Sequence, residues 1–267
     1  MKYAPAVMLA SLMIPTMNAA LVVGVGAVMP FSLKERPLPW FLAAISVAVS
    51  LLLGPGPIAA LFVGPWVVLT VIAGVRSLLQ REGWAAMVAG FAGTASLALV
   101  ASRLEVTLFE IPEPIVKLTA LHFTYAGAGT LALALRLQAV RPSRWTRLAR
   151  VLVFIAPPVV ALGFITRSAL GQVGGASLMT AGVWLVAALQ WPDARAGRSR
   201  WWWRVSCFAP LIAMVLGVSW AASQYWPWIP ALTVPDMVPT HGALNAFGFV
   251  LCGHLACWLD WRRSTSP

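Results

Sequence analysis

The sequence predicts an all-α protein, a polytopic bundle of about nine transmembrane helices forming a single membrane domain. Three observations carry that class. Apolar residues make up 60% of the 267 positions and charged residues only 10%. Apolar runs of about 20 residues, the length that crosses a bilayer as helix, follow one another along nearly the whole chain. The cations fall in short loops between those runs, where they set orientation. A net charge of +11 is therefore explained by topology, and nucleic acid is not an expected partner. The expected partner is the lipid bilayer.

In order, the first span runs from about Ala6 to Phe31 and holds Pro15 and Asn18, the latter read as interhelical glue. Its start resembles a secretory signal, but the apolar run continues well past Ala20, so a retained span is expected. The basic loop SLKERPLP follows. The second span, Trp40–Leu53, is short and stops at a tight GPGP turn. The third, Ile58–Arg76, carries Pro65 and should kink there. After the basic RSLLQREG comes the fourth span, Trp84–Ser102, and then an acidic loop with Glu105, Glu110 and Glu113. Glu105 reads as a loop charge paired with Arg103.

The fifth span, Ile115–Leu137, contains His122, and an arginine-rich loop separates it from the sixth, Val151–Ile165. Pro157 and Pro158 are expected to break that sixth span. The seventh, Val173–Trp191, leads into the basic and aromatic stretch PDARAGRSRWWWR, and the eighth covers Val205–Ala222. A long aromatic, proline-rich loop precedes the ninth, Thr240–Trp261.

Alternating the loops across these spans leaves only Lys2, Arg103, Lys117 and Arg167 of the 19 Lys and Arg on the outer side. The positive-inside bias therefore predicts a multi-pass protein of the inner (plasma) membrane, N-terminus out and C-terminus in. After the first span the loops also suggest a 1+4+4 arrangement with a parallel repeat, its halves at 38–138 and 149–261. Each half has a short outer turn, a basic inner loop, a long acidic outer loop and then a histidine-bearing helix.

All three histidines, His122, His241 and His254, lie in the fifth and ninth spans. Ionisable groups within a bilayer are costly and usually mark a site. Thr119, His122, Tyr125, Ala126 and Gly129 recur at three- and four-residue spacing, which places them on one helix face. His241 and Asn245 are likewise one turn apart. Both faces are entered from acidic loops, so an outer-half cavity lined by Glu110, Glu113, His122, Tyr125, Asp236, His241 and Asn245 is expected to be the catalytic site. Thr119, Phe123, Trp66, Trp184 and Trp220 are candidates to bind the substrate. His254 lies about 20 Å deeper at helical rise and belongs elsewhere.

LTALHFTYAG after a Glu-Pro, and THGALNAFGF near the C-terminus, resemble the two signature segments of the YndJ-like membrane proteins of bacteria. The likeness covers the C-terminal part of the chain, from the loop before the fifth span onward. Proteins of this family are at times described as transporters and have no settled activity. The resemblance implies importance for Glu113, His122, Tyr125, His241, Asn245 and Gly248 without assigning them chemistry, and it gives Glu105 and Asp236 no support.

Two function classes follow. The first is an intramembrane enzyme doing acid–base chemistry on a lipophilic small molecule. Carboxylates and imidazoles in a low-dielectric pocket exchange protons near neutral pH, and aromatic faces stabilise cations. Isomerisation or cyclisation of an isoprenoid, or opening of an epoxide, would suit such a pocket. The second is a proton-coupled small-molecule transporter or exporter, suggested by the repeat and the proline-bearing spans. No cofactor is expected. The HGALN and CGHLAC strings lack the ligand pattern of a tight metal site, and the histidines fall on differing faces, which also disfavours haem. Cys207, Cys252 and Cys257 read as small buried hydrophobes. A serine hydrolase is disfavoured because the chain has no Gly-x-Ser-x-Gly elbow.

Overall fold

A computed structural model describes residues 4–107, 109–196 and 199–264, with backbone alone for 4–10, 196 and 261–264. Lys2 and Arg198, counted above among the loop cations, lie outside the described residues.

Among the described residues there is no strand, and nine apolar helices follow in chain order. They are α1 (Ser11–Leu33), α2 (Pro37–Leu52), α3 (Pro57–Leu79), α4 (Gly83–Arg103), α5 (Ile115–Val140), α6 (Arg144–Ile165), α7 (Ala169–Arg195), α8 (Arg200–Ser223) and α9 (Val234–Asp260). Eight are long and apolar enough to cross a membrane, and α2, the shortest at 16 residues, is the exception. At helical rise α2 reaches about 24 Å, just short of a hydrocarbon core of about 30 Å. The run is cut short by its flanks: Pro37 opens the helix at its first position and Gly54-Pro55 follows its last turn.

The prolines do two different things. In α3 the helix is interrupted at Phe62–Val63 and resumes at Gly64, with Pro65 in the first turn of the resumed piece. This is the break expected there. In α6, by contrast, the helix runs unbroken through Pro157 and Pro158, contrary to expectation. Each proline removes only one amide donor, from the carbonyls of Val153 and Phe154, and membrane helices tolerate that loss where neighbouring packing holds the segment. Ser143 fixes the start of α6 by a capping box. The Thr146 amide donates to Ser143 Oγ at 3.1 Å and the Ser143 amide to Thr146 Oγ1 at 3.0 Å, a device worth about 1 kcal/mol.

The helices gather into two compact units, one of Met17–Ala132 and the other of Met1–Thr16 with Leu133–Pro267. In the first, α4 is the packing centre, pressing a row of buried alanines (Ala86, Ala89, Ala92, Ala95) between its neighbours α3 and α5. Small side chains let helices approach closely where lipid offers no hydrophobic drive to associate. In the second unit the α6–α7 pair packs most extensively. A Cβ on Gly163 would lie 2.4 Å from the Gln172 amide nitrogen, so only glycine permits that approach.

Among the described residues, Arg76 of α3 pairs with Glu35 in the α1–α2 loop, and Arg141 in the α5–α6 loop pairs with Asp193 of α7. The expected Glu105–Arg103 pair is not made. Glu105 is exposed with a left-handed backbone, while the Arg103 side chain turns inward and donates from Nη2 to Leu53 O at 2.7 Å.

Candidate functional site

Both histidine helices depart from α geometry where the histidines lie. α5 winds as π-helix over Phe123–Gly129, immediately after His122. α9 does so over Val238–Gly242 and again over Leu244–Leu251, bracketing His241 and Asn245. π-turns are rare, cost packing, and recur at functional sites.

In the second unit, His241 reaches across to α8. Its Nδ1 lies 2.6 Å from Ala213 O. A carbonyl can only accept, so Nδ1 carries the proton in this contact, and Nε2 bears the lone pair of the neutral ring. The ring fits because α8 has glycine beneath it: a Cβ on Gly217 would stand 2.7 Å from the His241 Cε1. Asn245 Nδ2 stands against the same ring, 3.4 Å from Nδ1 and 3.5 Å from Nε2, a long and easily exchanged contact. Asn245 Oδ1 is buried and accepts no hydrogen bond among the described residues. Asp236, in the turn before, accepts from Thr233 Oγ1 through Oδ2 at 2.6 Å, while its Oδ1 is also buried without a donor. Among the described residues, two buried acceptors are thus left at the start of α9.

Polar groups continue along α9. Ser206 Oγ lies 2.9 Å from Phe249 O and 3.1 Å from Gln190 Oε1. Gln190 is fully buried, yet its Nε2 donates to nothing. Further on, Arg136 Nη2 donates to Cys257 O at 3.0 Å and Trp203 Nε1 to Asp260 Oδ2 at 2.9 Å. His254 is buried in the same helix. Sequence reasoning passed over Gln190 and Ser206, although a glutamine in an apolar span is itself a signal. Nothing local in α8 marks Gly217.

In the first unit the arrangement differs. His122 is exposed, and its Nδ1 bonds to Leu118 O of its own helix at 2.8 Å. Tyr125, three residues on, is buried and donates its phenol to Ala20 O at 2.7 Å. Gly24 of α1 makes room for the neighbouring Thr124, whose methyl would stand 2.7 Å from a Cβ there. Thr119 donates back to Ile115 O at 3.0 Å. Glu110 and Glu113 are exposed in the loop before α5.

The aromatic candidates are placed as follows. Phe123 packs tilted against Phe91, with ring centroids 5.7 Å apart. Trp66 is fully buried and its Nε1 has no acceptor. Trp184 donates to Pro210 O at 3.1 Å, and Trp220 stacks on Phe164 at 6.1 Å. Of the sequence candidates, then, His241 and Asn245 meet in the second unit, which also holds Asp236, Trp184 and Trp220. Glu110, Glu113, Thr119, His122, Phe123, Tyr125 and Trp66 belong to the first. No group of three or more His, Cys, Asp and Glu that could hold a metal ion occurs among the described residues.

A family model described as YndJ-like protein matches residues 6–249. The match extends to the first span, well beyond the C-terminal segments that carried the resemblance in the sequence. No curated protein and no solved structure matches the chain.

Proposed function

We propose, for a chain that belongs to the YndJ-like family, an acid–base role centred on His241 and Asn245: an integral membrane enzyme acting on a lipophilic, isoprenoid-like substrate. One observation carries this reading. Asn245 Oδ1 is buried beside the imidazole and has no donor. A buried acceptor left without a donor costs about 1–3 kcal/mol, and a substrate or water hydroxyl would relieve it. A water held by Oδ1 through one O–H would turn its second O–H to His241 Nε2, which can take that proton and later return it. The Ala213 carbonyl holds the opposite ring nitrogen and so fixes the ring's tautomer and orientation. Acid–base groups placed in this way contribute about 10²–10⁴-fold to rate.

The same reading places the acidic loops outside and the arginine-rich loops in the cytoplasm, by the positive-inside rule. His241 then sits about 10 Å along α9 from its outer end, at a depth a lipid-borne substrate reaches from the outer leaflet.

The test is solvent labelling. Purified protein is incubated in deuterated water with an isoprenoid lipid extract from its host. Isomerisation or cyclisation deposits one solvent deuteron on carbon, read as a mass gain that survives back-exchange. The parent should label one lipid species and His241→Ala none. Equal labelling by both would remove His241 from the chemistry.

A second reading, proton-coupled transport, is favoured by the polar groups spaced along the second unit: Asn245, Ser206, Gln190 and His254. Gln190→Leu separates the readings. An enzyme keeps its labelling, whereas a proton path loses flux in proteoliposomes carrying a pH-sensitive dye.

A further inference from the structure

Two part-buried cations of the first unit make no ion pair among the described residues. Arg103 ends α4 and is only 8% exposed. Its Nη2 donates to Leu53 O, and its own carbonyl accepts from the Gly56 amide at 2.7 Å, so the residue clamps the α2–α3 turn. Its Nε is buried with no acceptor. Lys117 lies in the first turn of α5, and its Nζ donates to Asn18 Oδ1 of α1 at 2.6 Å. That partner is a neutral amide. Neither cation makes an ion pair among the described residues, and the charges that act on Lys117 are Arg103 and Glu113. Glu113 is exposed and stands beyond ion-pair reach.

Two half-sunken cations that make no ion pair among the described residues thus lie where α4 ends and α5 begins. Leaving a charge there without a partner is costly, and membrane proteins bury cations where a counter-charge completes them. The position narrows what that counter-charge is. Arg103 closes α4 and Lys117 opens α5, so both lie at the level where a spanning helix meets the headgroups. The amino end of α5 adds its own positive potential towards an anion. A guanidinium with an unused Nε–H and an ammonium with donors to spare suit an oxyanion such as a phosphodiester.

We propose that Arg103 and Lys117 form a binding site for the phosphodiester headgroup of an anionic phospholipid. The site is separate from the His241–Asn245 pair and does not depend on the reading given for it. Asn18 positions the ammonium, Glu113 sets its outer rim, and the Arg103 guanidinium supplies the second positive charge.

Native mass spectrometry of the full-length protein, released from nanodiscs of equal phosphatidylglycerol and phosphatidylcholine, tests this. The parent should retain phosphatidylglycerol in preference. Lys117→Gln should weaken retention about fivefold, the effect of one cation near a lipid surface. Lys117→Arg should keep it, whereas Asn18→Ala, which frees the ammonium but leaves its charge, should weaken it less than Lys117→Gln does. Arg103→Gln also loosens the α2–α3 turn, so Lys117→Gln at an unchanged melting temperature is the deciding variant. Equal retention of both lipids by the parent, or unaltered retention by Lys117→Gln, would overturn the site. Displacement of the retained lipid by inorganic phosphate alone would overturn the lipid assignment.

Discussion

His122 and His241 both lie in apolar helices that turn to π geometry beside them, yet each ring satisfies its hydrogen bonding differently. The His122 ring bonds back to a carbonyl of its own helix and faces outward. The His241 ring bonds to a carbonyl of another helix, lies on a glycine of that helix, and has a donorless amide oxygen next to it. A ring satisfied within its own turn asks nothing of the fold. A ring that needs Ala213, Gly217 and Asn245 in place is held by three positions at once, and that pre-organisation is what chemistry requires. The same contrast separates Tyr125 from Asn245: the phenol is fully used by Ala20 O, whereas the amide keeps an unused acceptor.

The largest expected effect is the one that would break the contrast outright. His241→Ala should lower lipid labelling by about 10²-fold or more, the usual worth of a positioned acid–base group, while His122→Ala should stay within about tenfold of the parent. Equal losses, measured side by side on folded protein, would erase the difference between the two rings. Next comes Gly217→Val. Its side chain occupies the imidazole's place, so stability should fall by about 1–3 kcal/mol and labelling should disappear. Gly90→Ala, at a site with open space around the added carbon, should leave the melting temperature in detergent unchanged or raised. Tyr125→Phe removes one buried hydrogen bond and should cost about 1 kcal/mol without affecting labelling. Loss of labelling with full stability would move Tyr125 from anchor to participant. The smallest effect is expected for Gln190→Leu, which removes an amide whose Nε2 donates to nothing. Near-neutral stability is the expected outcome in a chemical denaturation series.

The helical class and the number of helices were legible because hydropathy is a local signal that survives any packing. The His241–Asn245 pair was legible for the same reason: four-residue spacing on a helix brings side chains together whatever surrounds them. The break at Pro65 could be read, but the unbroken passage through Pro157 and Pro158 could not, because a neighbouring helix decides whether a lost amide donor opens the chain. The π-turns leave no mark in the apolar pattern, since they change which carbonyl an amide chooses and not which residues are apolar. Gly217 and the Lys117–Asn18 bond depend on which helix lies against which, and one sequence does not give that. Asn18 was read as interhelical glue, and its oxygen does join α1 to α5. Gln190 was a missed opportunity, for a buried amide within an apolar span is visible in the sequence.

The account's central claim is that His241 holds its proton on Nδ1 and works through Nε2. The chain has only three histidines, so ¹⁵N solid-state NMR of histidine-labelled protein in bilayers resolves it directly. The account predicts a neutral ring protonated at Nδ1, whose signal vanishes in His241→Gln and shifts when Asn245→Ala removes its amide neighbour. A His241 signal protonated at Nε2, with Nδ1 as the acceptor, would contradict the Ala213 contact and with it the proposed chemistry.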